Sequence, residues 1–161
     1  MGAGKTAVLG EASDLLAHRR IVHAAIDLDG LGLAHLPSAD GADAAMYTNL
    51  RSVCANYAAL GVNRVLLARA LESRAQLDRC RDAVSAESLI VCRLVAGVPA
   101  MQQRVRAREP GIEQQRYVDR VKLLDGILDR AHLEDFRVEN QHRSVTDAAM
   151  EMLVKAGWIG G

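Results

Sequence analysis

The stretch MGAGKTAVLG, residues 1–10, sets two glycines, a lysine and a threonine directly ahead of apolar positions at helical spacing. Gly4, Lys5 and Thr6 match the second half of the pattern G-x-x-x-x-G-K-[ST], in which a buried strand runs into a glycine loop and the loop into a helix. The residue types have a physical reason. Glycines let backbone N–H groups turn inward around a phosphate, the helix start presents its positive end, a lysine reaches the outer phosphates, and a hydroxyl ligates magnesium. Gly2, Ala3, Gly4, Lys5, Thr6 and Ala7 are therefore the candidate phosphate cradle, with Thr6 also a candidate metal ligand; the alternative is a glycine-rich terminal tail. Lysine is scarce in this chain, confined to Lys5, Lys122 and Lys155 among twenty basic residues, so its place between Gly4 and Thr6 carries weight.

Outward from that loop, Val8, Leu9, Ala12, Leu15 and Leu16 predict a helix over 5–19. RIVHAAIDLD (20–29) predicts a buried strand ending in acids, and residues 30–45, rich in Gly, Pro and Asp, a loop. Helix periodicity returns over 44–61 and stops at Gly61. NRVLLARA (63–70), SLIVCRLVA (88–96) and DFRVEN (135–140) predict three further strands. Helices are predicted over 73–84, over 99–109 with Pro99 in the first turn, over 112–132 after the break at Pro110 and Gly111, and over 144–157 with Ser144 as N-cap. Short continuous apolar strands alternating with helices imply an α/β domain with a parallel sheet covered on both faces. With neither repeats nor linkers, residues 1–161 read as one domain.

Composition excludes several classes. Twenty acidic and twenty basic residues leave no net charge, which argues against a protein that coats nucleic acid or anionic lipid. Cys54, Cys80 and Cys92 are odd in number and lack C-x-x-C spacing, so neither a disulfide framework nor a zinc site is expected, and a reducing cytoplasm fits. No apolar run reaches membrane-spanning length. His23, His132 and His142 have no metal-ligand spacing and read as structural, as does Trp158, placed to pack the last helix.

Asp27 and Asp29 end the first strand two residues apart, a spacing that turns both carboxylates to one side of a strand. Ligands in parallel sheets bind beyond the carboxyl ends of strands. Two acids there suit a magnesium shell and acceptance of a hydroxyl proton; the alternative is a solvated turn closed by Gly30.

The order of glycine loop, helix, strand ending in D-x-D and later arginine-bearing helix resembles the P-loop small-molecule kinases, the group of shikimate, gluconate and adenylylsulfate kinases. GAGKT, HAAIDLDGL, ANYAALGVNRVLLA, ESR and DFRVENQHRSVTDAA resemble actinobacterial P-loop NTPases, over nearly the whole chain. The resemblance implies a three-layer parallel sheet of nucleoside-kinase type, with ATP and Mg2+ as cofactors and a small-molecule acceptor as partner. It assigns Lys5 and Thr6 to the phosphates and metal, Asp27 to the magnesium shell and Asp29 to the acceptor hydroxyl. It makes Arg104 and Arg108, at i, i+4 spacing, candidate lid arginines, against the reading of a solvated arginine face. Arg69, Glu72 and Arg74 follow a strand where acceptor recognition is expected, and the helix bearing Tyr47, Asn49 and Arg51 is a possible second wall. Asn140 lies where the family often contacts adenine. No nucleic-acid or membrane partner is implied, and a monomer or weak dimer is expected.

The family's first strand is central in its sheet, and here it would lie upstream of Met1. Five buried apolar residues at about 1.5–3 kcal/mol each contribute on the order of 10 kcal/mol. The expectation is that Met1 is internal to a longer natural protein, and that the chain as written leaves a gap in its sheet. The functional expectation is transfer of the ATP γ-phosphoryl group to a small-molecule hydroxyl. Its alternative is a nucleotide-binding module without kinase activity. A ring-forming mechanical ATPase fits less well, because no apolar strand ending in paired acids follows NRVLLARA and no helical lid domain trails the sheet.

Overall fold

The computed structural model describes residues 1–34 and 41–160; residues 35–40, within the loop predicted over 30–45, and residue 161 lie outside the described residues. Helix α1 spans Lys5–His18 and begins where Gly4 enters the left-handed region at φ 91°. Its buried stripe is Val8, Ala12 and Leu16, one residue every four, which is the spacing of a single helix face. Strand β1, Ala24–Asp27, is followed at once by a short helix α2, Leu28–Leu31. The strand therefore ends two residues earlier than the run of acids predicted. The reason is local: the Asp27 carboxylate accepts the Asp29 N–H at 3.1 Å, capping α2 and turning the chain out of the extended conformation.

Helix α3, Gly41–Ala59, leads through Gly61 (φ 83°) to strand β2, Val65–Ala68. Helix α4, Arg74–Val84, is N-capped by Ser73 and leads to strand β3, Cys92–Val95. Helices α5, Val98–Arg108, and α6, Gln114–Ala131, connect β3 to strand β4, Phe136–Glu139, and helix α7, Val145–Lys155, closes the order. Ser144 caps α7 as predicted, accepting the Asp147 N–H at 3.0 Å. Every predicted strand and long helix is present, and the fold is α/β with seven helices among the described residues.

The strands pair in parallel, but in two sheets of two. In one, β1 lies beside β2 in the register Ala24 to Val65 through Asp27 to Ala68; in the other, β3 lies beside β4 from Cys92 with Phe136 to Val95 with Glu139. A single continuous sheet is not formed: β2 and β3 share no ladder, and both line one cavity of about 830 Å3.

The core is correspondingly divided. Ile26, Leu28, Met46, Leu50 and Cys80 form one cluster around β1, α3 and α4. Val8, Ala12, Leu16, Val138, Ala148 and Leu153 form a second, where the alanines of α7 let α1 approach closely and where Trp158 packs. Met101, Val105, Val118 and Val121 join α5 to α6, with Met1 and Ala3 packed on them.

Candidate functional site

The glycine loop is shaped by contacts from α5 and the end of β4. Gly2 and Gly4 both have positive φ, at 71° and 91°, which side chains other than glycine rarely adopt. Neither position has room for a Cβ. One at Gly2 would meet the Met101 carbonyl oxygen at 2.4 Å, and one at Gly4 the Asn140 Nδ2 at 2.2 Å. Asn140, buried at 6% exposure, donates from Nδ2 to the Ala3 carbonyl at 2.8 Å. Arg104 donates from Nη2 to the Asn140 carbonyl at 2.8 Å and from Nη1 to the Gly2 carbonyl at 3.2 Å. The loop is thus held through two of its carbonyls, those of Gly2 and Ala3, with Arg104 also tying Asn140 in place.

Because Gly4 has no side chain to cap α1, no side-chain acceptor meets the amides of the first turn. The first turn carries Lys5, Thr6 and Ala7, and among the described residues the Lys5 ammonium has no ion-pair partner. Burial first, then the charges of Lys5 and Arg108, lower the Met1 amine from its ordinary 8.0 to about 6, against the opposing charge of Asp29. A lysine beside the uncapped start of a helix is a setting in which an anion binds.

Thr6 and Asp27, 21 residues apart, come together at the carboxyl end of β1, where the Thr6 hydroxyl donates to Asp27 Oδ2 at 2.6 Å. The second oxygen of Asp27 holds α2. Asp29 stands on α2 rather than on the strand, so the alternation argument does not apply to it; its side chain is 71% exposed and lies 4.0 Å from Arg69 Nη1. Arg69 is half-buried, pairs with Asp43 at 2.8 Å, and keeps a buried Nε–H that has no acceptor among the described residues. Thr6, Asp27, Asp29 and Arg69 thus form a line running from the helix start toward α3.

The other candidate residues are placed apart from that line. Glu72 is joined to Arg120 of α6 at 2.6 Å, and Arg74 to Asp78 one turn along α4. Arg51 is exposed on α3. Asn49 donates to the Leu31 carbonyl at 2.8 Å, holding α2 against α3, and Tyr47 is in the core. Arg108 pairs with Glu109 at 2.8 Å on the surface, so Arg104 and Arg108 do not act on one point despite their spacing. His23 bridges Ser13 and the Ile21 carbonyl at 2.8 Å each, a structural role. All three cysteines are free, and burial pushes the Cys92 thiol up to about 12.

Three residues that shape the site carry no signal in the sequence. Asp43 holds Arg69, Arg120 holds Glu72, and the Gln141 side-chain carbonyl accepts the Gly97 N–H at 2.6 Å beside α5. Each partner comes from a different element, and no local spacing reveals it. Among the described residues no three His, Cys, Asp or Glu side chains form a metal-binding group, and no helix is long and apolar enough to cross a membrane. No family model, no curated protein and no solved structure matches this chain.

Proposed function

We propose that the chain is a P-loop kinase-like protein of the cytoplasm, built on the three-layer plan of that group, which binds ATP with Mg2+ and transfers the γ-phosphoryl group to a hydroxyl of a small molecule. The observation that carries the reading is the Thr6–Asp27 contact of 2.6 Å at the head of a helix that also bears Lys5, which has no ion-pair partner among the described residues, and a first turn without a side-chain cap.

A hydroxyl and a carboxylate are hard oxygen donors. Magnesium fits them, since it takes one or two protein oxygens and draws the rest of its shell from phosphate and water. When bound, the ion neutralises charge on the phosphate oxygens. The chain supplies everything else. The amides of Lys5 to Ala7 would hold the phosphates, and Lys5 would reach their outer oxygens. Asp29, exposed beside Arg69, orients the acceptor hydroxyl and takes its proton, while Arg69, fixed by Asp43, recognises the acceptor. Catalysis of this kind rests on positioning and charge rather than covalent chemistry.

The alternative of a nucleotide-binding module without phosphoryl transfer is favoured by one observation. Arg104 is occupied with the carbonyls of Gly2 and Asn140, so this lid candidate serves the loop and is not free to meet a transferring phosphoryl group.

Calorimetry with Mg2+ and ATP, followed by mass spectrometry of products from sugars, amino alcohols and nucleosides, tests both readings. Saturable binding that Lys5→Ala abolishes is expected. Asp29→Asn is expected to stop product formation with ATP binding intact; binding without product from any acceptor selects the module reading. Absence of affinity for ATP and GTP, or unchanged binding in Lys5→Ala, overturns both.

A further inference from the structure

Helices α5 and α6 pack on each other far more than on any other helix or strand. Met101 and Val105 of the first meet Val118 and Val121 of the second in a core of their own, and Gln102 donates to the Val118 carbonyl at 3.3 Å. Side chains packed at interior density transmit strain, so a displacement of one helix is carried to the other.

Three arginines tie this hairpin to the rest of the molecule. Arg104 reaches from α5 to the carbonyls of Gly2 and Asn140. Arg93 reaches from β3 to Asp125 and Asp129 in the second half of α6. Arg120, also on α6, donates from Nη2 to both oxygens of the Glu72 carboxylate, at 2.7 and 2.6 Å.

The place of Glu72 in the chain gives the third tie its consequence. Glu72 stands in the connection between β2 and α4, three residues after Arg69. Its own N–H donates to the Gln76 side chain at 2.7 Å and Ser73 caps α4, so one end of the connection is fixed to that helix. At the other end Arg69 pairs with Asp43 and lies 4.0 Å from Asp29. The Arg120 and Glu72 side chains are 35% and 33% exposed, and an ion pair so placed adds little to stability. What it fixes is the position of the connection against the hairpin.

We propose that Arg120 is a positioning residue, which ties the connection carrying Arg69 to the same hairpin that grips the glycine loop and so sets the acceptor side of the site relative to the nucleotide side. Its role in phosphoryl transfer rests on the kinase reading; the tie itself does not. Arg104 and Arg120 share no hydrogen-bonding partner, yet their effects on the connection should be coupled.

Hydrogen exchange followed by NMR on the full chain without nucleotide tests the tie, so its failure is separate from failure of the kinase reading. The Glu72 amide is the reporter, and the amides of α7 are the reference. Arg120→Gln is expected to speed exchange at Glu72 by about threefold or more, and Arg104→Gln by about twofold or more, with α7 unchanged. In the double variant the rate should match that of Arg120→Gln alone, because the path from the glycine loop is already cut. Combining Glu72→Arg with Arg120→Glu should restore the original rate. Should Arg104→Gln fail to fold, Arg104→Lys takes its place, keeping the charge without the fork that holds two carbonyls. An Arg104 variant that leaves Glu72 unchanged, effects that multiply in the double variant, or a swapped pair that exchanges as fast as Arg120→Gln each overturn the proposal. Addition of Mg2+ and ATP is expected to slow exchange at Glu72 in the original chain and not in Arg120→Gln. Slowing that persists in Arg120→Gln overturns the positioning role. Absence of any response to ATP along the chain overturns the kinase reading and that role with it, with the tie still decided by the rates without nucleotide.

Discussion

Replacing Gly4 with alanine drives a methyl group into space held by Asn140. The new Cβ would lie 2.2 Å from Asn140 Nδ2, and the backbone there has φ 91°. Two costs follow. Holding an alanine in the left-handed region costs about 1–2 kcal/mol. Displacing the Asn140 amide breaks its bond to the Ala3 carbonyl and leaves buried polar groups unsatisfied, a further cost of about 1–3 kcal/mol. Gly4→Ala should therefore lose about 2–5 kcal/mol, and Asn140→Ala alone about 1–3 kcal/mol. In the double variant the clash has no partner and the bond is already gone, so its cost is counted once. The pair should fall short of additivity by about 1–3 kcal/mol, the value of the shared bond. Against a domain stability of about 5–15 kcal/mol this is measurable from urea midpoints with a common slope. If the two substitutions add to within about 0.5 kcal/mol, Asn140 does not hold the loop in the way described.

Arg93 joins β3 to α6 through Asp125 at 2.8 Å and Asp129 at 2.7 Å, with Glu134 nearby at 3.9 Å, and its side chain is 9% exposed. Arg93→Leu should lose about 2–4 kcal/mol, less than a fully buried pair because Asp129 is half in solvent, as read from urea midpoints. The Arg93 hydrogen bond holds the Asp129 carboxyl below its usual range. Glu134 is also held low, by its own backbone N–H and Arg137, against the raising effect of burial. Lower folded values mean that this stability is present above the ordinary 3.8 and 4.5 and is lost as pH falls through the folded values; Arg93→Leu should flatten that acid limb.

Much of the architecture was legible before any tertiary contact was known. Helix α1 is announced by Gly4 and the four-residue spacing of Val8, Ala12 and Leu16, and α7 by Ser144, because capping and amphipathicity are decided within a few residues. The four strands were legible for the same reason, as apolar runs bounded by helices. Where Asp27 ends its strand was not, because one side-chain bond to the Asp29 amide competes with the ladder. The i, i+4 spacing of Arg104 and Arg108 placed them on one helix face but could not say what each would touch.

The sequence alone determined the alternation of strands and helices and set Lys5 and Thr6 at the head of a helix, since both follow from local propensity and backbone sterics. Only the tertiary structure brought Asp27 to Thr6, turned Asn140 and Arg104 onto the glycine loop, and left β2 and β3 facing a common cavity. Those outcomes depend on contacts between residues 20 to 140 positions apart. Which distant group meets which is settled by how whole elements pack, and no window of sequence contains that information.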